Sequence, residues 1–156
     1  MKLATLLYIK NQKGEYLLQR RAKNPNRNLL SPPGGKLDIE NAESPPECAV
    51  REAYEECSLE TKTEDWKLIG IITEKNFPEI GSIMIFLMQY RKSVDDLPSD
   101  CVEGSYHFIH PENFREHELP QTDKKYIWNN VLNYSGDIFY LRLDCSDYPE
   151  IKELKN

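Results

Sequence analysis

The most informative stretch of this chain is residues 34–59, GGKLDIENAESPPECAVREAYEECSL. After its two glycines and a lysine, Ser44 stands directly before Pro45, and Glu47 follows three residues after the serine. Serine followed at this spacing by glutamate forms a capping box, and proline is favoured at the first helical position. The pattern predicts a helix that begins after Ser44 and runs to about Cys57.

Three glutamates of this helix, Glu52, Glu55 and Glu56, are three and four residues apart and therefore share one face. Like charges at this spacing destabilise a helix by about 0.2–0.5 kcal/mol per pair. A divalent cation would offset the repulsion, and Mg²⁺ binds through a few carboxylates together with substrate phosphates. The alternative is a solvated acidic face on which Arg51 pairs with Glu55. The upstream glycine turn favours a metal site, because it exposes backbone groups beside the helix, and Lys36 adds a cation for phosphate.

The stretch resembles the Nudix box, G-x5-E-x7-R-E-U-x-E-E-x-G-U, where U is an aliphatic residue. Seven residues separate Glu43 from Arg51, as in the box, and Leu59 fills the last aliphatic place. The resemblance implies an α/β fold, a Nudix-type α/β/α sandwich with a mixed central sheet.

Two positions depart from the box. Seven residues rather than five separate Gly35 from Glu43, so the loop 38–42 carries an insertion, and Ser58 stands where the box has its second glycine. Extra length in a loop costs little free energy, and neither change touches the carboxylates. We therefore expect a different loop shape and a different end to the helix, with the chemistry unchanged.

The resemblance also implies roles for individual residues. The metal ligands are three helix glutamates and a backbone carbonyl of the glycine turn: Glu52, Glu55 and Glu56, with Gly34 or Gly35. Arg51 matches the arginine that orients a glutamate, and Glu43 matches a structural glutamate. The reaction is attack of water on a diphosphate phosphorus, assisted by Mg²⁺, with Mn²⁺ as a substitute.

A second family pattern is a glutamate, a small residue, any residue and an aromatic, which Glu103-Gly104-Ser105-Tyr106 fits. It implies that Glu103 is an extra metal ligand or the general base, a role for which Glu52 is the other candidate. The alternative is a surface-loop acid without a catalytic role.

The nucleotide is indicated by residues outside the box. Gln19-Arg20-Arg21-Ala22 resembles the MutT branch, which implies phosphate binding by Arg21, or alternatively Arg20, next to Lys36. Residues 119–141 are similar to 8-oxo-dGTP diphosphatases, which implies that Asp123 reads a purine edge. Ser31 takes the place of a base-contacting asparagine, and Leu119 that of a stacking tryptophan. We interpret Trp128 as a core residue.

Length and composition favour one domain over residues 1–156. The chain is 39% apolar and 29% charged, and its net charge is −6. These values are typical of a globular protein, and an acidic protein is a poor binder of nucleic-acid backbone. No apolar run approaches a membrane span. Four cysteines without paired spacing indicate reduced thiols. We therefore expect a cytoplasmic protein whose partner is a small nucleotide, not a nucleic-acid polymer or a membrane.

Hydrophobic periodicity outside the box predicts a mixture of strands and helices. The predicted strands are 3–10, 16–20, 66–74, 82–91, 106–109 and 138–143, and the second helix is 123–132. The first two strands should form a hairpin across the turn Asn11–Gly14. The candidates for an apolar or aromatic wall of the cleft are four residues: Tyr8, Phe77, Phe86 and Phe108.

The sequence therefore predicts hydrolysis of a purine nucleoside triphosphate, preferably an oxidised deoxynucleotide, to the monophosphate and pyrophosphate. One rival is the same chemistry on a nucleoside diphosphate sugar or a dinucleotide. The other is a non-catalytic nucleotide-binding module, against which the intact cluster of repelling glutamates argues.

Overall fold

The computed structural model describes residues 1–155, in which strands form one connected hydrogen-bonded system with helices packed on both sides. The strands are β1 (Lys2–Lys10), β2 (Tyr16–Arg21), β3 (Leu30–Ser31), β4 (Gly34–Lys36), β5 (Trp66–Phe77), β6 (Gly81–Ser93), β7 (Gly104–Ile109), β8 (Phe139–Asp144) and β9 (Lys152–Glu153). The helices are α1 (Pro45–Cys57) and α2 (Trp128–Leu132). Short helical turns span Thr63–Asp65, Pro111–Glu116 and Asp123–Ile127.

The central sheet contains both parallel and antiparallel pairs. β1 runs parallel to β6, β6 runs antiparallel to β5, and β5 runs parallel to β8. β2 pairs antiparallel with β3 and β7 and joins β1 at the hairpin end, where Lys10 lies opposite Tyr16. β4 is a short strand that pairs antiparallel with β1 and places Gly35 opposite Thr5.

Alternation along the strands divides the buried side chains between two cores. On β6, Leu87 faces a core that holds Ile127 and Trp128, whereas Met88 faces a core that holds Ala49 and Ala53 of α1. Each face of the sheet is therefore covered by a helical layer, and the predicted mixed α/β fold is confirmed.

Most predicted elements are present, and the differences concern their ends and the shortest pieces. The predicted helix 123–132 begins with a π-helical turn, Asp123–Ile127, before α2. Residues 30–36, for which no strand was predicted, contribute β3 and β4. β5 continues past its predicted end at Glu74 to Phe77. Pairing with neighbouring strands determines these ends, and hydrophobic periodicity does not report that pairing.

In residues 1–155, no helix combines the length and the apolar character needed to span a bilayer. The final residue of the predicted domain, Asn156, lies outside the described range.

Candidate active site

A cleft of about 810 Å³ brings together residues from distant parts of the chain. At one end, here called the helix end, lie the glutamates of α1, the glycine turn and Glu103. At the other, here called the sheet end, polar groups lie among apolar side chains. The sheet-end residues used below are Glu74, Phe77, Ile83, Ile85, Thr122, Asp123 and Ile127.

Helix α1 presents its acidic face to the cleft because both its ends and its apolar face are fixed. At its start, the Ser44 hydroxyl accepts from the Glu47 N–H at 3.3 Å, and Glu47 Oε1 accepts from the Ser44 N–H at 3.1 Å. Ala49 and Ala53 are fully buried against the sheet. Glu52, Glu55 and Glu56 therefore all line the cleft, as residues three and four apart should.

The helix ends at Ser58 in the left-handed conformation, with φ 52° and ψ 29°. Its N–H donates to the carbonyls of Ala53 and Tyr54. Left-handed residues commonly end helices, and glycine is favoured there because a side chain is strained. The expectation of a different helix end was therefore wrong, because Ser58 adopts the conformation that is usual for glycine.

The glycine turn approaches α1 so closely that side chains are excluded. A Cβ added at Gly35 would collide with the Glu52 carboxylate, and one at Gly34 would collide with the Thr5 carbonyl. The Gly34 N–H donates to Glu56 Oε2 at 3.2 Å. Backbone and carboxylate oxygens are thus brought together along one side of the cleft.

Arg51 ties the helix to the residues before it. Its guanidinium donates to both Glu43 oxygens at 2.8 and 2.9 Å and to the Lys36 carbonyl at 2.9 Å. It also contacts Glu52 Oε1 at 3.0 Å and Glu55 Oε2 at 3.2 Å. The bond from Arg51 lowers the pKa of Glu43 to about 2. This arginine is therefore placed to orient carboxylates, a role in which a fork of fixed donors is effective.

The remaining charge at the helix end is not balanced. Burial first, and then repulsion by Glu52, raises the pKa of Glu56 to about 8. Burial also raises the pKa of Glu52, although the positive charge of Arg51 opposes this rise. Hard oxygen donors that repel one another and enclose a gap suit Mg²⁺, so the residues present fit such an ion. Among residues 1–155, the side chains of His, Cys, Asp and Glu do not form a preassembled group of three around one position. Glu55 lines the cleft but is turned to Arg51, with 55% of its side chain exposed.

Glu103 faces these glutamates from the loop before β7. Its carbonyl accepts from the Ala22 N–H at 2.9 Å, and its Oε1 lies 3.7 Å from Lys23 Nζ. Its charge contributes to the raised pKa values of Glu52 and Glu56. Lys23, which lines the cleft, was not predicted from the sequence, since a lysine in a polar loop carries no distinguishing pattern.

Tyr106 joins the end of α1 to the sheet. Its buried hydroxyl donates to the Glu56 carbonyl at 2.7 Å and accepts from Gln19 Nε2 at 3.0 Å. Cys101 Sγ lies 3.3 Å from the same hydroxyl. This buried link holds the last turn of α1 against β2 and the loop that carries Glu103.

Of the predicted phosphate-binding residues, Arg21 and Lys36 line the cleft. Arg21 Nε donates to the Pro25 carbonyl at 2.7 Å, which holds the side chain against the loop. The alternate, Arg20, donates to the Asn28 carbonyl at 3.1 Å and is not among the cleft residues of the described chain.

The predicted base-contacting residues, Ser31 and Asp123, both lie in the cleft and are buried. Glu74, which was not predicted, is also buried there. A signal for it existed: Glu74 shares a strand face with Ile72, which packs in the core. An acidic residue at an inward position of an apolar strand could therefore have indicated Glu74 from the sequence.

Only one of the four candidates for the aromatic wall, Phe77, lines the cleft. Tyr8 is buried in the core on the side of α2, and Phe86 and Phe108 pack on the side of α1. Trp128 is 4% exposed and packs against Phe114 with tilted rings, whose centroids lie 4.6 Å apart. The interpretation of Trp128 as core agrees with this packing.

The inserted loop forms a turn beside the cleft. Asp38 Oδ2 accepts from Asn41 Nδ2 at 2.8 Å, and the Glu43 N–H donates to the Asp38 carbonyl at 3.0 Å. Residues 38–42 are not among those that line the cleft. The insertion therefore changes the approach to α1 without changing the cleft wall.

Comparison with known families shows to which family this cleft and fold belong. The model of the NUDIX domain family matches residues 1–128, which include β1 to β7, α1 and the cleft residues of both ends. The chain belongs to the Nudix family. It is accordingly a nucleotide pyrophosphohydrolase, as the sequence predicted.

Solved structures share the Nudix fold. A mutator MutT protein from Bacillus halodurans is 23% identical, with a TM-score of 0.77 over 99% of this chain and 95% of that one. A MutT protein from Methanosarcina mazei Go1 is also 23% identical, with a TM-score of 0.69 over 84% and 93%. The NUDIX domain of Shewanella oneidensis NrtR, solved with ADP ribose, is 13% identical, with a TM-score of 0.67 over 86% and 87%. At these identities the likeness concerns the fold.

Proposed function

We propose that this Nudix enzyme hydrolyses a purine nucleoside triphosphate, with an oxidised deoxynucleotide preferred, to the monophosphate and pyrophosphate. The observation that supports this proposal most is that one cleft connects the two ends. Its helix end has carboxylates and cations, and its sheet end has apolar walls and buried polar groups. The groups of the helix end suit phosphates, and those of the sheet end suit a purine.

At the helix end, Glu52 and Glu56 would hold Mg²⁺ with a carbonyl of Gly34 or Gly35, and Glu55 is an additional ligand. Mn²⁺ is expected to substitute, since it accepts the same oxygen donors. When bound, the ion supplies positive charge to the phosphoryl oxygens and lowers the pKa of water. Arg51, at 3.0 Å from Glu52, orients that carboxylate.

Three further residues complete the proposed machinery. Arg21 and Lys36 bind phosphate oxygens through their positive charges. Glu103 accepts the proton of the attacking water, and Glu52 is the other candidate. Glu103 is favoured because it has a weaker cation partner, Lys23 at 3.7 Å, whereas Glu52 contacts Arg51 at 3.0 Å.

One observation supports a second substrate class: the similar Shewanella domain was solved with ADP ribose. A nucleoside diphosphate sugar or a dinucleotide would place its diphosphate at the same carboxylates. Its second sugar or nucleoside would need room beside the helix end. The products separate the classes, because a conjugate releases a sugar phosphate or a nucleotide instead of pyrophosphate.

The test is a substrate panel with Mg²⁺, and in parallel with Mn²⁺, that contains normal and oxidised nucleoside triphosphates and several diphosphate sugars. Each product is identified by ion-exchange chromatography. Pyrophosphate release from purine triphosphates, fastest with the oxidised ones, is the expected result. Turnover confined to the diphosphate sugars would contradict the proposal, and turnover of none would contradict both substrate classes. The small-nucleotide partner and the cytoplasmic location remain predictions.

A further inference from the structure

The last turn of helix α1 leaves backbone carbonyls that the helix itself does not pair, as every helix does. Where the helix ends, the Ser58 N–H donates to the carbonyls of Ala53 and Tyr54. Within residues 1–155, no backbone N–H donates to the Glu56 carbonyl. This carbonyl therefore needs a hydrogen-bond partner from a side chain of another element.

The partner is the phenol of Tyr106 on β7, whose hydroxyl donates to the Glu56 carbonyl at 2.7 Å. The amide of Gln19, which lies opposite Tyr106 in the pairing of β2 with β7, donates to the same hydroxyl at 3.0 Å. An amide nitrogen only donates, and a hydroxyl has a single proton to give. The bond from Gln19 therefore leaves the proton of the phenol for the Glu56 carbonyl.

Both side chains of this link are enclosed by the protein. Tyr106 is 4% exposed and Gln19 is 1% exposed, and neither is among the cleft residues of the described chain. Removing one partner of such a bond leaves a buried polar group unpaired, which costs more free energy than the bond itself contributes. Because the phenol does not line the cleft, any influence on the chemistry has to pass through Glu56.

Glu56 is held at both its backbone and its side chain. Its carbonyl accepts from Tyr106, and its carboxylate Oε2 accepts from the Gly34 N–H at 3.2 Å. Helix ends fray where their backbone groups lack partners. Fraying of the last turn would move the Glu56 carboxylate away from Glu52 and from the glycine turn, which supply the other proposed ligands. The phenol therefore fixes the spacing of the ligands without being one of them.

The same phenol contacts the loop that carries Glu103. Cys101 Sγ lies 3.3 Å from the Tyr106 hydroxyl, and Cys101 and Gly104 exchange two backbone hydrogen bonds of 3.0 and 3.1 Å. These bonds close a tight turn around Glu103 directly before β7. Glu56 on α1 and Glu103 in the loop are thus both placed relative to Tyr106.

We propose that Tyr106 is a positioning residue of the proposed metal site, whose hydroxyl, oriented by Gln19, holds the Glu56 carboxylate where it binds the divalent ion. Losing a group that orients a metal ligand typically costs about 10–100-fold in metal affinity or activity. The inference rests on the proposed function in that Glu56 is a ligand. The competing account is that the hydroxyl supports only the stability of the fold.

The test removes the hydroxyl alone and measures the affinity for Mn²⁺ without nucleotide. Tyr106→Phe keeps the ring, and electron paramagnetic resonance measures free Mn²⁺ during a titration of the protein. We expect the dissociation constant of Mn²⁺ to rise about tenfold, at the lower end of the effect of lost orienting groups. Turnover that is lost at low Mg²⁺ concentration should return as Mg²⁺ is raised, because the affinity for the ion is what changes.

Tyr126→Phe is the matched control, since the Tyr126 hydroxyl donates to the Ile151 carbonyl at 3.0 Å on the opposite side of the sheet. This variant loses the same kind of bond and should lower the melting temperature to a similar extent, but its affinity for Mn²⁺ should be unchanged. Equal weakening of Mn²⁺ binding in both variants would overturn the proposal, because destabilisation alone would then explain it. An unchanged Mn²⁺ affinity in Tyr106→Phe would overturn it as well.

Gln19→Met covers the case in which Tyr106→Phe does not fold. Methionine has a similar volume but does not donate to the phenol, so the phenol is less firmly oriented toward the Glu56 carbonyl. The dissociation constant of Mn²⁺ should rise by about threefold, as expected for one neutral hydrogen bond. In that case, unchanged Mn²⁺ affinity in Gln19→Met would overturn the proposal.

Glu56→Gln in the same titration separates this inference from the proposed function, and we expect it to weaken Mn²⁺ binding. Unchanged binding in Glu56→Gln would reject the ligand role of Glu56, on which the proposed function depends. Weaker binding in Glu56→Gln together with normal binding in Tyr106→Phe would reject this inference alone.

Discussion

The two ends of the cleft both carry buried or half-buried carboxyl groups, but in opposite settings. At the helix end, Arg51 contacts Glu52 at 3.0 Å and Glu55 at 3.2 Å, and the glycine turn lies alongside. At the sheet end, Glu74 and Asp123 lie among apolar side chains and form no salt bridge within the described residues. The first arrangement offers several carboxylate and backbone oxygens to a cation, whereas the second leaves its two carboxyl groups among apolar side chains. Identical side chains are thus given different chemistry by their neighbours.

The largest expected effect comes from the helix end. Glu56→Gln removes one charge from the proposed ion site and should lower Mg²⁺-dependent turnover by about 100-fold or more, the scale found when one electrostatic group of an active site is lost. The fold should be retained, because repulsion with Glu52 is relieved. Steady-state rates and circular dichroism measure both properties, with Glu60→Gln as the control. Unchanged turnover would reject a ligand role for Glu56.

The carboxyl groups of the sheet end should make the free energy of unfolding depend on pH. The folded-state pKa values of Glu74 and Asp123, about 7 and about 8, lie above the ordinary 4.5 and 3.8 of the unfolded chain. The folded protein therefore holds protons that the unfolded chain releases, and this contribution is lost as pH rises from about 4 to about 8.

The Glu74→Gln, Asp123→Asn double variant should lose less stability over this range, since only groups such as Glu52 and Glu56, whose pKa values are also raised, then contribute. Between pH 5 and pH 9, the free energy of unfolding of the unaltered protein should fall by on the order of 2–5 kcal/mol more than that of the double variant. Urea titrations of both proteins at the two pH values measure it. The same pH dependence in both proteins would show that the two acids titrate normally.

Arg51→Lys tests whether the two ends differ because of this one guanidinium. A lysine keeps the charge but cannot make the two bonds to Glu43 and the bond to the Lys36 carbonyl together. We expect Mg²⁺ to bind about 10-fold more weakly, the scale for losing a group that orients a metal ligand. Base-dependent binding of monophosphates should be unaffected. Equal losses at both ends would mean that Arg51 supports the fold and not the helix end in particular.

The smallest expected effect concerns the end of α1. Ser58 has φ 52°, a conformation that glycine adopts without strain. Ser58→Gly should therefore raise the free energy of unfolding by about 0.5–1 kcal/mol. Thermal denaturation measures the change. A lower melting temperature would show that the flexibility gained by the unfolded chain outweighs the strain removed.

What the sequence could predict was largely local. The capping box of Ser44 and the spacing of Glu52, Glu55 and Glu56 are properties of consecutive residues, and α1 lies where they predict it. The glycine turn was predictable for a related reason, since only glycine leaves room for the Glu52 carboxylate.

What the sequence did not predict depends on distant residues. Glu74 and Asp123 are 49 residues apart, the difference of their numbers, and share a cleft only because β5 and the segment before α2 both line it. Lys23, in the loop between β2 and β3, lies near Glu103 for the same reason. Ser58 shows a third limit, because the backbone adopted the usual glycine conformation despite the side chain.

The most direct test of the division between the two ends is a titration of ¹⁵N-labelled protein with Mn²⁺, followed by the broadening of amide NMR signals. We predict that the signals of Gly35 and Glu56 broaden at a lower Mn²⁺ concentration than those of Glu74 and Asp123. Glu56→Gln should require more Mn²⁺ for the same broadening. Broadening that begins at Glu74 and Asp123, or spreads evenly over both ends, would contradict the account.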